Sequence, residues 1–299
     1  MESVIKVQNL TKDYGHNRGA FDVTFDVRKG EVFGFLGPNG AGKTTVIRHL
    51  LGFSKPQKGT SEIMGHNCWT APEKVQEFVG YVPGEIAFPD GMSGWQFIKQ
   101  IADMRKSDLK RAEELCEYFK LKPHGKLKRM SKGMKQKIAL VIAFMHDPDI
   151  LILDEPTSGL DPLMQARFCD LVKREKEKGK TIMMSSHIFE EIEKTCDRVV
   201  IIKQGQLIAE VNMKEIEHNT HKEFEVRFAT KTSYDHFIRT RWQFNEKNPD
   251  KNRVKVVVED KDINEFLKQL GNYKVEYISE IKFNLEKYFM NYYKEEGAQ

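Results

Sequence analysis

The sequence predicts an α/β protein with a parallel β-sheet, followed by a smaller α+β domain. Between residues 2 and 210, short runs rich in β-branched residues alternate with helical patterns, which is typical of parallel strands joined by crossover helices. Beyond about residue 214 the pattern changes to two alternating strands and two helical segments. A length of 299 residues agrees with two domains. We therefore expect domains at residues 1–214 and 215–299.

Each predicted element has a local signal. The strand candidates of the first domain, which are β-branched or apolar runs, are residues 32–36, 78–82, 150–153, 181–184 and 198–202. Helical spacing without strands begins near residue 90 and predicts an inserted helical subdomain over about residues 90–146. In the second domain we expect strands at 223–229 and 253–258, helices at 263–270 and 285–293, and a loop at 245–252 around Pro249.

The composition describes a nearly neutral chain that can form a packed core. Lys and Arg number 48 against 44 Asp and Glu, which leaves a net charge of +4, and 39% of the residues are hydrophobic. This balance excludes a disordered chain and gives no sign of a dedicated polyanion binder. The longest apolar runs, 138–145 and 199–202, are shorter than the roughly 20 residues of a spanning helix. We expect that the chain does not cross a bilayer itself.

The start of the chain and its cysteines indicate the compartment. The first residues lack the basic segment, apolar stretch and cleavage site of an export signal, which predicts a cytosolic protein. The four cysteines are widely spaced and form neither a metal motif nor a disulfide framework. We interpret them as reduced structural thiols; they are Cys68, Cys116, Cys169 and Cys196.

A phosphate-binding loop is the most specific motif. It consists of Gly37, Pro38, Asn39, Gly40, Ala41, Gly42, Lys43 and Thr44, and Thr45 opens the helical segment after it. The position between a strand and a helix makes this match specific for a triphosphate, because backbone N–H groups and the helix N-terminus face the phosphate oxygens. Lys43 is expected to bridge the β and γ phosphates, and the Thr44 hydroxyl to bind Mg²⁺.

Two carboxylates follow the apolar strand candidate 150–153. Asp154 and Glu155 therefore lie at the C-terminal edge of the predicted sheet, where open α/β sheets bind ligands. We predict that Asp154 holds Mg²⁺, usually through water, and that Glu155 is the general base for the attacking water. Taken alone, such a pair is often a helix cap or a solvated turn. Its combination with the phosphate loop favours the catalytic interpretation.

Further segments carry a family resemblance. They are Met130-Ser131-Lys132-Gly133-Met134-Lys135-Gln136, Ser158-Gly159-Leu160-Asp161, Ser185-Ser186-His187 and Lys12-Asp13-Tyr14-Gly15. The first resembles the Leu-Ser-Gly-Gly-Gln signature of ATP-binding cassette (ABC) proteins, and the second resembles the loop that links the two sites of their dimer. The third resembles their switch region, and the fourth contains an aromatic residue that resembles the one stacking on adenine. Over roughly residues 2–214 the chain resembles the ATPase subunit of an ABC transporter. The resemblance implies a RecA-like core with an antiparallel β subdomain and a helical subdomain.

The resemblance also implies roles for individual residues. Ser131 and Gly133 would cap the γ-phosphate bound to a partner cassette, and Asp161 would couple the two sites. His187 would contact the γ-phosphate and position Glu155, while Tyr14 would stack on adenine. Plainer interpretations are a helix start for His187, packing for Tyr14 and a helix cap for Asp161. Because the helix start at Ser131 can bind phosphate only if another molecule brings it there, we expect a homodimer or a paired cassette.

Two positions depart from the family pattern. Lys132 stands where the first signature glycine is usual; it either assists nucleotide binding or, as we favour, points away and leaves the phosphate to Ser131 and Gly133. Gly84 stands where a glutamine that touches magnesium is usual. Glu85 is then a candidate magnesium ligand, unless the metal keeps an extra water instead.

The resemblance is greatest to subunits that pair with a separately encoded ABC-2-type permease, as in bacitracin-type exporters. It implies an ATP-hydrolysing subunit attached to the inner face of the cell membrane through that permease. The alternative is a soluble cassette acting on ribosomes or DNA, although such proteins usually carry two cassettes or a long coiled-coil insertion. The basic run 120–137 has no interleaved aromatic residues, so we expect no nucleic-acid partner.

Overall fold

A computed structural model describes residues 2–213, 221–281, 285, 286 and 289. The chain divides into two compact units, Met1–Met213 and Lys214–Gln299. In the part of the chain so described, every helix is too short or too polar to span a membrane. The predicted helix at 285–293 falls mostly outside the described residues.

The first unit contains ten strands, seven α-helices and one 3-10 helix among its described residues. The strands are β1 (Ser3–Asp13), β2 (Gly19–Arg28), β3 (Val32–Leu36), β4 (Lys58–Ile63), β5 (His66–Asn67), β6 (Val79–Val82), β7 (Ile150–Asp154), β8 (Thr181–Ser186), β9 (Arg198–Lys203) and β10 (Gln206–Asn212). The helices are α1 (Lys43–Leu50), α2 (Pro72–Phe78), α3 (Gly94–Arg105), α4 (Lys110–Tyr118), α5 (Lys132–Met145), α6 (Pro162–Glu177) and α7 (Phe189–Thr195).

The central sheet has six strands in the order β10-β9-β3-β8-β7-β6. β3, β6, β7, β8 and β9 run parallel, as predicted, and β10 pairs antiparallel with β9 at the edge. Every residue of β3 and of β7 is buried, as expected for strands covered on both faces. β8 lies between β3 and β7, with Leu36 paired to Ser186 and Asp154 to Ser185. The loops that follow these three strands therefore meet at one edge.

A second, antiparallel sheet has the order β2-β1-β4-β5. It shares one hydrophobic core with the central sheet, and Phe25 of β2 stacks on Phe33 of β3 with ring centroids 5.3 Å apart. This packing fixes the β1–β2 hairpin against the sheet that carries the phosphate loop.

The region predicted as a helical subdomain contains α3, α4, α5 and a short 3-10 helix at Leu127–Arg129. α3 begins at a capping box in which Ser93 and Gln96 exchange side-chain and backbone hydrogen bonds. Gly94 permits close packing there, since a Cβ at this position would lie 2.5 Å from Cδ1 of Ile138 on α5.

The second unit is an antiparallel sheet with helices on one face. Its elements are β11 (His221–Phe228), α8 (Lys231–Phe237), β12 (Gln243–Asn248), β13 (Arg253–Glu259), α9 (Ile263–Leu270) and β14 (Val275–Ile281). The strand order is β12-β13-β11-β14. Aromatic residues dominate the core; Phe237, for example, contacts the rings of Phe228, Phe244 and Phe266.

The predicted loop at 245–252 is wrong in its first half, because β12 continues to Asn248. β12 is an edge strand whose side chains alternate between exposed and half-buried positions, and its polar composition concealed this period. Phe244 packs on the core, while Glu246 forms ion pairs with Arg253 and Lys255 of β13. Cross-strand contacts therefore keep residues 245–248 in a strand, although their polar sequence is typical of a loop.

Candidate functional site

The phosphate loop lies between β3 and α1, as its sequence predicts. Gly40 and Gly42 have φ angles of 81° and 109°, in the left-handed region that favours glycine. A Cβ on Gly42 would lie 2.5 Å from the carbonyl oxygen of Gly19, so the β1–β2 hairpin rests directly on the loop. Residues 38–45 line a cavity of about 460 Å³ together with Tyr14, Arg18, Gly19 and Glu155. The cavity therefore unites most of the predicted phosphate loop with Tyr14, the predicted adenine contact, and Glu155, the predicted general base.

Lys43 is nearly buried at the base of this cavity. Its Nζ lies 3.0 Å from Oε1 of Glu155 and donates a hydrogen bond of 2.6 Å to the carbonyl of Gly37. The cation that is predicted to reach the β and γ phosphates is thus paired with the predicted general base.

Asp154 is fully buried between two hydroxyl donors. Thr44 Oγ1 donates to Asp154 Oδ2 at 2.8 Å, and Ser185 Oγ donates to Oδ1 at 2.5 Å. A hydroxyl and a carboxylate beside a phosphate loop are the hard oxygen ligands that Mg²⁺ prefers, and water and phosphate oxygens complete such sites. The residues present therefore fit a magnesium ion held by Thr44 and Asp154.

Glu155 has an unusual backbone conformation. Its φ is 49°, in the left-handed region, and its N–H donates to the carbonyl and the hydroxyl of Ser185. Non-glycine residues held in this region store strain and cluster at functional sites. The turn aims the Glu155 carboxylate at His187, whose Nδ1 lies 2.5 Å from Oε2. The three predicted catalytic residues, Lys43, Glu155 and His187, thus meet.

Ser131, Gly133 and Asp161 lie apart from this cavity. Ser131 caps α5, with its hydroxyl accepting from the N–H of Met134 at 3.2 Å. Asp161 caps α6 by accepting from the N–H of Met164 at 3.0 Å, which is the plainer of its two interpretations. A Cβ on Gly133 would lie 2.6 Å from the carbonyl oxygen of Gly159. The start of α5 and the loop 158–161 therefore pack closely together.

Lys132 crosses the same loop. A Cβ on Gly159 would lie 2.9 Å from Cγ and 3.0 Å from Cδ of Lys132, so the lysine stem covers this glycine. Lys132 and Lys135 also line a second cavity of about 350 Å³, together with Gly84, Glu85, Ile86 and Gln136. Gly84 also adjoins the predicted magnesium site, since a Cβ there would lie 3.1 Å from Oδ2 of Asp154. The magnesium role of Glu85 stays a prediction.

We expect that Lys132→Gly changes the ATPase rate by no more than a few-fold, because the lysine stem packs on the chain's own Gly159. Lys132→Met is the matched control, since it keeps most of the stem and removes the charge. Steady-state phosphate release measures both variants. Near-complete loss of turnover in both would show instead that the charge takes part in nucleotide binding.

Arg18 is a cavity residue that sequence reasoning missed. A tight loop places it opposite Tyr14: the Tyr14 N–H donates to the Arg18 carbonyl at 2.8 Å, and the Arg18 N–H donates to the Gly15 carbonyl at 3.1 Å. Left-handed conformations at His16 and Asn17 close this loop. A basic residue four positions after Tyr14 and directly before Gly19 is the signal that could have identified it.

We expect that Arg18→Ala weakens ATP and ADP binding by roughly tenfold, the magnitude of one charge-assisted hydrogen bond. Arg18 lines the same cavity as the phosphate loop, and we expect its charge to act on the phosphates, so adenosine binding should change little. Equilibrium binding of the three ligands measures this. Arg28→Ala, at the exposed far end of β2, is the control, and an equal loss of adenosine binding would contradict a phosphate contact.

Comparisons with known proteins agree with this geometry. A family model described as ABC transporter matches residues 20–158, and one described as an AAA domain matches residues 126–193. The ABC transporter ATP-binding protein YdbJ of Bacillus subtilis is 37% identical over 74% of this chain and 73% of its own length. The bacitracin transport ATP-binding protein BcrA of Bacillus licheniformis is 36% identical over 77% of this chain and 76% of its own length.

A solved structure shares the fold of the first unit. The dimeric structure of MJ0796, a bacterial ABC transporter cassette, superposes with a TM-score of 0.64 at 22% identity, over 70% of this chain and 98% of that one. The level of identity to YdbJ and BcrA, over most of their lengths, decides the family. The chain belongs to the ATP-binding subunits of ABC transporters, whose cassettes bind and hydrolyse ATP.

Proposed function

We propose that two copies of this cassette, or this cassette and a paired one, enclose two ATP molecules and drive export through a separate membrane permease. The observation that carries the proposal is the division of the predicted phosphate contacts. Lys43, Glu155 and His187 share one sheet edge, whereas Ser131 and Gly133 begin a helix outside that cavity. A second molecule that brings its own triphosphate to the start of α5 would use both sets.

Within one cassette, the phosphate chain of ATP lies along the N–H groups of residues 38–45 and the N-terminus of α1. The Lys43 ammonium then leaves Glu155 and binds the β and γ phosphate oxygens. The released carboxylate accepts a proton from the water that attacks the γ-phosphorus, and ADP leaves as phosphate forms. His187, in contact with Oε2, holds the carboxylate toward that water.

Thr44 and Asp154 would hold a magnesium ion at this site. When bound, Mg²⁺ would draw negative charge from the β and γ phosphate oxygens. Ser185 keeps the Asp154 carboxylate oriented through its 2.5 Å hydrogen bond. The hydroxyl of Thr44 and the carboxylate of Asp154 would therefore bind the magnesium ion, and Ser185 orients the Asp154 carboxylate.

The dimer follows from the position of Ser131. Its hydroxyl oxygen already accepts from the N–H of Met134, which leaves the hydroxyl proton for a phosphate oxygen of the partner's ATP. Hydrolysis removes the γ-phosphate that joins the two copies, so the dimer opens after turnover. The dimeric MJ0796 cassette supports this arrangement by likeness of fold.

The role in transport is supported by the relatives, whereas the permease and the direction of transport rest on the sequence resemblance to bacitracin-type exporters. BcrA is named for bacitracin transport, and its similarity spans three quarters of both chains. We assign the chain to the cytoplasmic face of the membrane, attached through its permease, where closure of the cassettes would switch the permease between its two orientations.

Purification of this chain in mild detergent from the membranes of the cells that produce it tests the proposal. We expect an integral membrane protein to co-purify, and the Glu155→Gln variant with ATP to retain it as well. Co-purification of ribosomal RNA or DNA, without a membrane protein, would overturn the exporter role in favour of a soluble cassette. The ATPase assignment would survive that outcome.

A further inference from the structure

A buried carboxylate on α7 lies beneath the catalytic residues. Glu191 is 4% exposed, and its carboxylate accepts hydrogen bonds from the hydroxyls of Thr157, at Oε1, and of Ser186, at Oε2 with a length of 2.9 Å. These two hydroxyls lie at or just beyond the C-terminal ends of different strands. Thr157 follows β7, and Ser186 ends β8.

Each of these hydroxyls is close in sequence to a catalytic residue. Thr157 lies two residues after Glu155, and Ser186 immediately precedes His187. The Ser186 hydroxyl also accepts from the N–H of Ile188, on the far side of His187, at 2.9 Å. Glu191 is therefore hydrogen-bonded to a close sequence neighbour of each of the two residues in the Glu155–His187 contact.

The Glu155–His187 contact is open to solvent on the His187 side. The His187 side chain is 51% exposed, whereas the Glu155 side chain is 17% exposed. The loop that carries Glu155 is held by Gln136 of α5, whose Nε2 donates to the Pro156 carbonyl at 2.8 Å. The Glu155 N–H joins this loop to Ser185 at the end of β8, and Glu191 adds a side-chain link from Thr157 to Ser186, next to His187.

We infer that Glu191 is a positioning residue for ATP hydrolysis: by bridging Thr157 and Ser186, it holds Glu155 and His187 at the distance that the attacking water requires. The inference rests on the proposed roles of Glu155 and His187. It assigns Glu191 no contact with nucleotide, and it separates the rate of hydrolysis from the binding of ATP.

Burial of this group is costly for the fold. Burial raises the pKa of the Glu191 carboxyl above its ordinary value, and the hydrogen bonds from Thr157 and Ser186 offset only part of that rise. An apolar side chain of similar volume would avoid the desolvation of a carboxylate. Stability alone therefore gives no reason for a glutamate here, whereas the bridge between Thr157 and Ser186 does.

Steady-state ATPase kinetics of Glu191→Leu and Glu191→Gln test the inference. For Glu191→Leu we expect a fall in kcat of about tenfold or more, with KM and the Kd for ATP within about twofold of the parent. Glu191→Gln should recover most of kcat, because the amide accepts from one hydroxyl and donates to the other. A kcat near the parent value in Glu191→Leu would overturn the inference, and so would a glutamine variant as slow as the leucine variant.

A matched control is Glu175→Leu. Glu175, on α6, is also a buried glutamate, 2% exposed, but it pairs with Arg111 of α4 and with Lys178, which directly follows α6. We expect this variant to unfold at lower temperature and to keep its kcat per folded molecule. Equal kcat losses in Glu175→Leu and Glu191→Leu would mean a general structural effect and would overturn the positioning role.

The hydroxyl partners decide the question if Glu191→Leu does not fold. Thr157→Val and Ser186→Ala each remove one donor, so each should lower kcat without changing the Kd for ATP, and the double variant should lose less than the product of the two effects. Unchanged kcat in both would contradict the inference. Turnover that survives in Glu155→Gln would instead contradict the proposed general base, whatever Glu191 does.

Discussion

The Glu155→Gln variant is expected to lose ATP turnover by about a hundredfold or more while it still binds ATP. Glutamine cannot take the proton of the attacking water, although it keeps the shape of the side chain. It also removes the charge that lies 3.0 Å from Lys43, so Lys43 becomes free to bind phosphate. Phosphate release and equilibrium binding of ATP measure the two effects, and ATP affinity should be equal to that of the parent or higher.

The same variant should accumulate as an ATP-bound dimer, because in the proposed dimer the γ-phosphate between the two copies is no longer removed. Light scattering should show a doubled mass with ATP and a monomer with ADP. Glu190→Gln is the control: Glu190 is an exposed glutamate that pairs with Lys194 on α7, and its loss should leave turnover unchanged. Loss of ATP binding in Glu155→Gln would mean that Glu155 has a different role.

Gly42→Ala is expected to reduce ATP affinity by more than an order of magnitude, since it combines a backbone strain of about 1–3 kcal/mol with a steric clash. The φ of Gly42 is 109°, and a Cβ would meet the Gly19 carbonyl oxygen at 2.5 Å and the Gly205 Cα at 3.2 Å. Both neighbours are backbone atoms that cannot rotate away. Either the phosphate loop or the hairpin that carries Tyr14 and Arg18 must move, so the cavity loses its shape. Equilibrium ATP binding and thermal unfolding measure the result.

Gly179→Ala separates strain from steric clash. Gly179 has a φ of 86°, and a Cβ there would meet nothing within 4 Å. This variant should lose some stability and keep its affinity for ATP. Similar ATP affinities in Gly42→Ala and the parent would show that the contact between the hairpin and the phosphate loop is not needed for binding.

Much of the parallel core could be predicted because its signals are local. Residues 32–36 form a β-branched and aromatic run that ends at Gly37, and β3 has the same bounds. The clustering of candidate catalytic residues at the ends of parallel strands is likewise predictable, because such ends share one sheet edge. The strand order β3-β8-β7, which brings Lys43, Glu155 and His187 into contact, was not.

The residues that sequence reasoning missed depend on distant contacts. Glu191 contacts Thr157 across 34 positions of the chain. No sequence periodicity connects a glutamate on a helix with a threonine that follows a distant strand. Arg18 acquires its place because Gly19 and Gly42 pack together. The prediction of a loop over part of β12 was wrong because the segment is polar. The partners that stabilise Glu246 in this strand, Arg253 and Lys255, lie on the neighbouring strand β13.

The fit between Gly133 and Gly159 restricts how this chain can be redesigned. Residue 133 has no room for a side chain beside the Gly159 carbonyl, and the Lys132 stem occupies the space over Gly159 itself. A chimera that takes only one of these two segments from another transporter would combine surfaces that lack this steric complementarity. Domain-swap libraries built on this scaffold should therefore exchange residues 130–136 and 158–161 as a single unit.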